Sequence, residues 1–371
     1  MGKNLRRPRL KLCVATGMGL RGYIVRRIIY SLALIVVVVM LNFAIFKAMP
    51  GDPVSFLMQA WSRENPEARR QQEALIRNIW GFDEPFHIQL IKYFRNLLTW
   101  NLGVTIIDRQ PISASVAKRA PFTIFLIGGA TIISLVIGLL LGIYIIQRRG
   151  GLADSALVTS SLVIGSLPTF WLGLVFLFIF YSSLRWFPNA GASPIQWALD
   201  PPHPWLISTG TSGNVLSVIM SINLSEVLRL IGGYLRHVFL PMMTLVVFFV
   251  GGWVLLTRAT MLETITEDYI VTARAKGLKE RNILYKHALK NASLPIITSA
   301  ALSFGFILTG AIITETVFTY PGLGGWTWEA IQFLDYPVLM AIFYIISICV
   351  IVANIIADLI YGLVDPRIKV G

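Results

Sequence analysis

Long apolar runs are the sequence feature that most limits how this chain can fold. A helix that crosses a bilayer needs about 20 mostly apolar residues, since each residue advances 1.5 Å through a core about 30 Å thick. Six stretches reach that length: 24–46, 122–147, 157–181, 238–257, 295–314 and 338–361. The sequence therefore predicts an all-α polytopic membrane protein with six transmembrane helices.

The composition excludes two other classes of protein. Only 14% of the 371 residues are charged, whereas a soluble domain carries about 25%. Hydrophobic residues make up 55% of the chain, and the mean hydropathy is +0.69. A disordered chain would instead be polar and rich in charge. Neither an ordinary soluble enzyme nor a disordered protein fits these values.

The distribution of charge predicts the orientation in the membrane. With a cytosolic N-terminus, the inner segments and the Arg26/Arg27 flank hold 19 of the 32 basic residues but only 6 of the 19 acidic ones. Basic residues favour the cytosolic side of a membrane. Both termini and the loop 258–294 are therefore predicted to be cytosolic. The basic excess is explained by topology, and no module for binding nucleic acid is present.

The apolar runs divide the chain into segments of unequal length. The largest external loop follows the first run, and the largest inner loop lies between the fourth and fifth runs. The predicted organisation is a basic cytosolic N-terminal extension 1–23, a first transmembrane helix 24–46, an external loop domain 47–121, a five-helix core 122–361 with the inner loop 258–294, and a cytosolic tail 362–371.

Motifs for metal, disulfide or nucleotide chemistry are missing from the sequence. Its four histidines do not occur at HxxxH or HExxH spacing, so no metal site is predicted. Its two cysteines, Cys13 and Cys349, lie in a basic segment and an apolar run, so no disulfide framework is expected. The only Gly-Lys pair, Gly2-Lys3, is followed by Asn4 rather than by Ser or Thr. No phosphate-binding loop and no cofactor are therefore expected in this chain.

The inner loop 258–294 has the pattern of two helices joined by a turn. Thr264 and Glu267 have capping-box spacing, which predicts a helix start. Gly277 is placed to end that helix in the left-handed conformation. A second helix is predicted over 279–291, with Leu294-Pro295 turning the chain into the fifth span. Its residues Ile283, Leu284, His287 and Ala288 are expected on one face.

Physical reasoning alone leaves this loop as either a solvated amphipathic linker or a docking element. Its residues closely resemble the EAA-type coupling loop of ABC importer permeases, in the dipeptide/oligopeptide permease family. The matching residues are Glu267, Asp268, Tyr269, Ala273, Arg274, Ala275, Lys276, Gly277, Leu278, His287 and Pro295. Further matches to the same family lie before and after this loop, in the family's order, at 50–53, 81–85, 166–173, 321–324 and 365–367. The chain departs from the family pattern in its N-terminal extension, an insert at 192–235, and Lys279 in place of a frequent Ser.

The resemblance implies a type I ABC importer permease fold and a transport function. It further implies a second homologous permease subunit, two cytosolic ABC ATPases that bind ATP and Mg²⁺, and an external solute-binding protein. The matched loop would then be the ATPase-coupling site. The lipid bilayer of the cell membrane would surround the multi-pass chain. Short peptides, oligosaccharides or nickel are the substrates that such permeases move, and the substrate-binding residues stay unknown.

Two other functions stay open as alternatives. A secondary carrier usually shows inverted repeats or several buried charges, and six predicted helices with one marginal charge argue against it. An intramembrane enzyme needs a nucleophile, a metal set or paired carboxylates within its spans. Asp358 is the only acidic residue inside a predicted span, so an intramembrane enzyme is the weaker alternative.

Overall fold

A computed structural model describes residues 20–48, 74, 84–105, 107–188, 191, 224–305, 307 and 311–364. Most of the N-terminal extension, residues 49–73 and 75–83 of the external loop, residues 192–223 of the insert, the side chain of Asp358 and the tail from 365 lie outside this description. The described residues form helices and loops, with one isolated β-bridge between Val104 and Pro111. An all-α fold is thereby confirmed.

The helices are labelled α1 to α11 in chain order. Three of them include a π-helical segment: Ile124–Gly128 in α3, Leu177–Ser183 in α5 and Ile283–Ala288 in α8. Their bounds are α1 Leu20–Ala48, α2 Phe86–Leu98, α3 Ile112–Gln147, α4 Leu152–Ser166, α5 Thr169–Ser183, α6 Leu224–Thr264, α7 Asp268–Ala275, α8 280–305, α9 Ile312–Val317, α10 Leu323–Gln332 and α11 Tyr336–Val364.

Helices of membrane-spanning length hold most of the predicted apolar runs. Among the described residues, α3, α6 and α11 are each long and apolar enough to cross a bilayer. The pair α4 and α5 passes the same test together but is bent by 99°. In α1 the described apolar part, Ile29–Ile45, is shorter than a full span. The membrane-spanning character is therefore supported, while the number of six spans stays a prediction.

Two runs depart from a single straight helix. The third is broken between α4 and α5, where Leu167 and Pro168 adopt extended backbone with ψ of 138° and 136°. A proline disfavours helical geometry in the residue before it, so the bend follows from the sequence. The fifth run was expected to form one helix over 295–314, and that prediction is wrong. Helix α8 ends at Gly305 and the short α9 begins at Ile312, consistent with the low helix propensity of glycine.

Close packing of α3 against α6 forms the centre of the fold. Gly138 and Gly142 of α3 face Trp253 and Thr257 of α6 so closely that a Cβ atom at either glycine would overlap the facing residue. Small residues allow this approach between spanning helices. At the other side of the bundle, α1 packs on α11, and the Asn42 amide donates to the Met340 carbonyl oxygen over 3.1 Å.

A buried carboxylate organises the short helices α9 and α10. Glu315 of α9 is fully buried and accepts a 2.9 Å hydrogen bond from the Thr123 hydroxyl of α3. Its second oxygen accepts the backbone N–H of Gly325 at 2.9 Å. Thr123 in turn accepts the N–H of Leu323 at 2.7 Å. This network fastens the first turn of α10 to the long helix α3.

Candidate functional site

The inner loop folds as an elbow, defined here as residues 265–288. Its first arm is α7, which begins after the N-cap residue Glu267 and has Asp268 in its first turn. The Thr264 hydroxyl does not cap this helix, because it donates to the Thr260 carbonyl oxygen at 2.7 Å within the last turn of α6. The predicted capping box is therefore wrong. Negative charge at the start of α7 is still favourable beside the helix dipole.

Gly277 ends α7 as predicted. Its φ of +73° lies in the left-handed region, where glycine has no steric penalty. The Gly277 N–H donates to the Arg274 carbonyl oxygen at 2.9 Å, and the Leu278 N–H donates to the Ala273 carbonyl oxygen at 3.4 Å. This pair of bonds is a Schellman motif. A Cβ at Gly277 would meet no atom within 4 Å, so only the backbone conformation requires glycine here.

The second arm of the elbow differs from its prediction in two respects. The chain continues from 280 to 305 as one helix, with Pro295 inside it, so no turn occurs at Leu294-Pro295. Ile283, Leu284 and Ala288 are buried on one face, whereas His287, which was predicted to share that face, is exposed. The π-helical turn Ile283–Ala288 holds one more residue than an α turn, which rotates His287 away from the buried face.

One apolar cluster attaches the elbow to the ends of two spanning helices. Ile146 lies in the last turn of α3, and Met261 lies one turn before the end of α6. Both pack with buried residues from the two arms of the elbow. The full cluster comprises Ile146, Met261, Ile265, Ile270, Ala273, Ile283, Leu284, Ala288 and Ala292. A displacement of the elbow must therefore move the adjoining ends of α3 and α6.

The opposite face of the elbow is open. Among the residues matched by resemblance, Ala273 is buried in the cluster, whereas the others are exposed. Apolar side chains contribute to this face: Val271 is 56% exposed and Leu278 is 40% exposed. An exposed apolar patch with a polar rim is typical of a protein interaction site. Val271 was missed in the sequence, although its place opposite buried Ile270 and Ala273 on α7 would have indicated it.

Polar contacts join the two arms of the elbow. Across the Gly277 turn, Arg274 Nη2 donates to Glu280 Oε1 at 2.9 Å, and this hydrogen bond raises the pKa of Arg274. Just beyond the elbow, the side-chain amide of Asn291 on α8 donates to the Tyr269 hydroxyl of α7 at 2.6 Å. The sequence placed Glu280 and Asn291 in the second helix of this loop but predicted neither contact. Since the ion pair is exposed, its contribution to stability is about 0–1 kcal/mol, and its main effect is to orient the arms.

A cavity of about 830 Å³ lies between the spanning helices and the short helices α9 and α10. No charged side chain lines it among the described residues. Aromatic walls come from Phe249, Trp253 and Trp328, and the polar atoms include side-chain hydroxyls. The hydroxyl-bearing lining residues are Thr131, Thr169, Ser299, Ser303 and Thr314. Such a cavity suits the uncharged parts of a solute, and its described lining offers no counter-charge to an ionised group.

Two family models together match most of the chain. Residues 134–370 match the model described as a binding-protein-dependent transport system inner membrane component, and residues 20–127 match the N-terminal model of the same transport systems. The chain is 33% identical to the di/tripeptide transport system permease protein DppB of Pseudomonas aeruginosa, over 90% of this chain and 94% of that protein.

Other relatives are similar over nearly their full length. The oligopeptide transport system permease protein AppB of Bacillus subtilis is 31% identical over 94% of this chain and 99% of its own. The probable D,D-dipeptide transport system permease protein DdpB of Escherichia coli is 34% identical over 94% of this chain and 98% of its own. The similarity therefore includes the elbow, the cavity and the spanning helices.

Proposed function

Because this chain belongs to the binding-protein-dependent transport system inner membrane components and is a permease subunit of an ABC importer, we propose that it imports short peptides. A permease subunit is not itself an enzyme, and it acts in a membrane-embedded complex with ATPase and binding-protein partners. The observation that carries the proposed substrate class is the near full-length similarity to permeases named for di/tripeptide, oligopeptide and D,D-dipeptide transport.

The cavity supports peptides as substrates. Peptides share a backbone of hydrogen-bonding groups, and the cavity offers hydroxyl groups that can pair with it. We assign to it one wall of the transport path. Oligosaccharides are the second candidate, because Trp328 is 42% exposed in the cavity and could stack on a sugar ring.

The exposed face of the elbow is the proposed docking surface for an ATPase. Glu267 and Asp268 lie at one end of α7, Arg274 lies at the other, and Val271 is exposed between them. An apolar centre with charged ends suits a groove on a partner protein. We propose that two ATPases carry ATP and Mg²⁺, that a second homologous permease completes the path, and that an external binding protein delivers the solute.

Reconstitution in liposomes tests this function. We expect ATP-dependent uptake of a labelled dipeptide or tripeptide only when the permeases, the ATPases and the binding protein are all present. The isolated chain should show no saturable ATP binding. Uptake of an oligosaccharide in place of peptides would move the substrate class to sugars. Uptake by this chain alone, driven by an ion gradient, would contradict the ATP-driven mechanism.

Topology gives a separate prediction. In a chain with Cys13 and Cys349 replaced by Ser, Lys279→Cys should not react with an impermeant thiol reagent added outside sealed cells, because the elbow is proposed to be cytosolic. His87→Cys, on the exposed part of α2, should react. Both positions should react after the cells are opened. Labelling of Lys279→Cys in sealed cells would reverse the proposed orientation.

A further inference from the structure

The buried residues of helix α4 are polar rather than apolar. Only two of its 15 residues are buried, and both are polar: Asp154 and Ser161. Among its apolar side chains, Leu152 is 92% exposed and Leu162 is 58% exposed, whereas Leu157, Val158 and Ile164 are half-buried. Within the described residues, α4 packs mainly against α6. The two buried positions of α4 are therefore both polar, and they define where this helix sits.

The first attachment is an ion pair near the elbow. Arg258 of α6 donates from Nε to Asp154 Oδ1 at 2.7 Å and from Nη2 to Asp154 Oδ2 at 3.0 Å. The Gly150 N–H also donates to Oδ2 at 3.0 Å. The Asp154 side chain is 6% exposed and that of Arg258 is 30% exposed. A two-bond arginine–carboxylate pair fixes both distance and orientation.

The second attachment is a close contact between backbones. A Cβ added at Gly251 of α6 would lie 2.8 Å from the Ser161 carbonyl oxygen and 3.2 Å from its Cα. Asp154 and Ser161 are seven residues apart on α4, and Gly251 and Arg258 are seven apart on α6. Seven residues are about two helical turns, so both contact residues lie on the same face of each helix. The antiparallel helices α4 and α6 therefore touch at two points, Asp154–Arg258 and Ser161–Gly251.

These two points connect the elbow with the cavity. Arg258 lies six residues before Thr264, where α6 ends and the elbow begins. Ile146, in the last turn of α3, belongs to the elbow cluster and is followed by the short turn that leads to Asp154. At its other end, α4 passes through the bend at Pro168 to Thr169, which lines the cavity.

We propose that Asp154 and Arg258 are positioning residues that transmit movement of the elbow to α4, with the Gly251–Ser161 contact as the pivot. Movement of the end of α6 pulls the inner end of α4 through the ion pair. Since α4 contacts α6 so closely at Gly251, its far end then moves about that contact and displaces the bend beside the cavity. This inference rests on the proposed function, because the movement starts at an ATPase docked on the elbow.

The test measures ATP hydrolysed per peptide taken up by the complete complex in liposomes. Asp154→Asn, Arg258→Gln and the double variant each remove the ion pair. We expect each to raise that ratio about tenfold, the size of a typical coupling between two sites. The double variant should be no worse than either single variant, because all three lose the same interaction. Arg258→Lys keeps the charge but loses the two-bond geometry, and should give an intermediate ratio.

A glycine pair on α6 provides the matched control for the pivot. Gly251→Ala should raise the ratio as well, because the added methyl group separates the two backbones. Gly232→Ala places the same methyl group on the same helix, where nothing lies within 4 Å. It should leave the ratio unchanged.

The outcomes separate positioning from a merely structural role. If the Asp154 and Arg258 variants reduce the amount of complex but keep the wild-type ratio, the ion pair is structural and the proposal is wrong. A wild-type ratio in an intact double variant would also overturn it, and that variant leaves no buried charge unpaired. Failure of the wild-type complex to show any ATP-dependent uptake would instead contradict the proposed function.

Discussion

Gly277→Val is expected to reduce transport to background and to release the ATPase from the complex, while the chain still inserts in the membrane. The φ of Gly277 is +73°, a conformation that costs an L-residue roughly 1–2 kcal/mol and is especially poor for a β-branched side chain. No atom lies within 4 Å of the added Cβ, so the chain's own packing is not disturbed. The strain therefore acts on the angle between the two arms of the elbow.

Gly277→Asn is the matched control, because asparagine tolerates the left-handed conformation far better than valine does. We expect the asparagine variant to retain most of its uptake. Peptide uptake and ATPase co-purification are measured together on both variants. Equal loss in the two would mean that a partner approaches residue 277 too closely for any side chain. Normal uptake and normal ATPase retention with valine would show that the elbow is only a solvated linker.

We expect Glu315→Ala to destabilise the bundle more than Asp154→Asn or Glu329→Ala does. Glu315 is fully buried and accepts hydrogen bonds from the Thr123 hydroxyl and the Gly325 N–H. Alanine would leave both donors buried without an acceptor, at about 1–3 kcal/mol each. The space left by the side chain adds a further cost. We expect a loss of about 2–6 kcal/mol, seen as a lower unfolding temperature and a lower yield of solubilised complex.

Glu329→Ala is the control for that change. Glu329 lies on α10, the helix that the Glu315 network attaches to α3, but its side chain is 55% exposed and its oxygen is 4.0 Å from the nearest Arg119 nitrogen. An exposed pair of this kind contributes about 0–1 kcal/mol, so the variant should unfold near the wild-type temperature. Equal behaviour of the two variants would show that the Glu315 network does not hold α10 on α3.

Features that depend on neighbouring residues could be predicted from the sequence. Apolar runs predicted the long helices α3, α6 and α11, because a spanning helix needs only length and hydrophobicity. The bend in the third run also has a local cause, since proline at 168 restricts the residue before it. The left-handed helix cap at Gly277 could be predicted, because the two hydrogen bonds of a Schellman motif join residues only a few positions apart. The ordered motifs predicted the permease family, and the matches to its family models confirm that prediction.

The end of α6 and the π-helical turn in α8 depend on tertiary packing rather than on neighbouring residues. Thr264 and Glu267 have the spacing of a capping box, but packing of Met261 and Ile265 in the elbow cluster extends α6 to Thr264. Its hydroxyl is then already used within α6. His287 was predicted to share one face with Ile283, Leu284 and Ala288, because a regular α-helix was assumed. The π-helical turn is visible only in the folded backbone, so its effect on His287 could not be predicted.

Hydrogen-bond partners that are far apart in the sequence can be identified only from the tertiary structure. Asp154 and Arg258 are separated by 104 residues, and Thr123 and Glu315 by 192. Hydrophobic patterning shows that α4 and α6 are apolar helices, but it does not show which of their faces meet. That choice is made by the close approach at Gly251, which sets the rotation and depth of α4 and brings Asp154 to the guanidinium of Arg258. A buried charge is tolerable only when such a partner is in place.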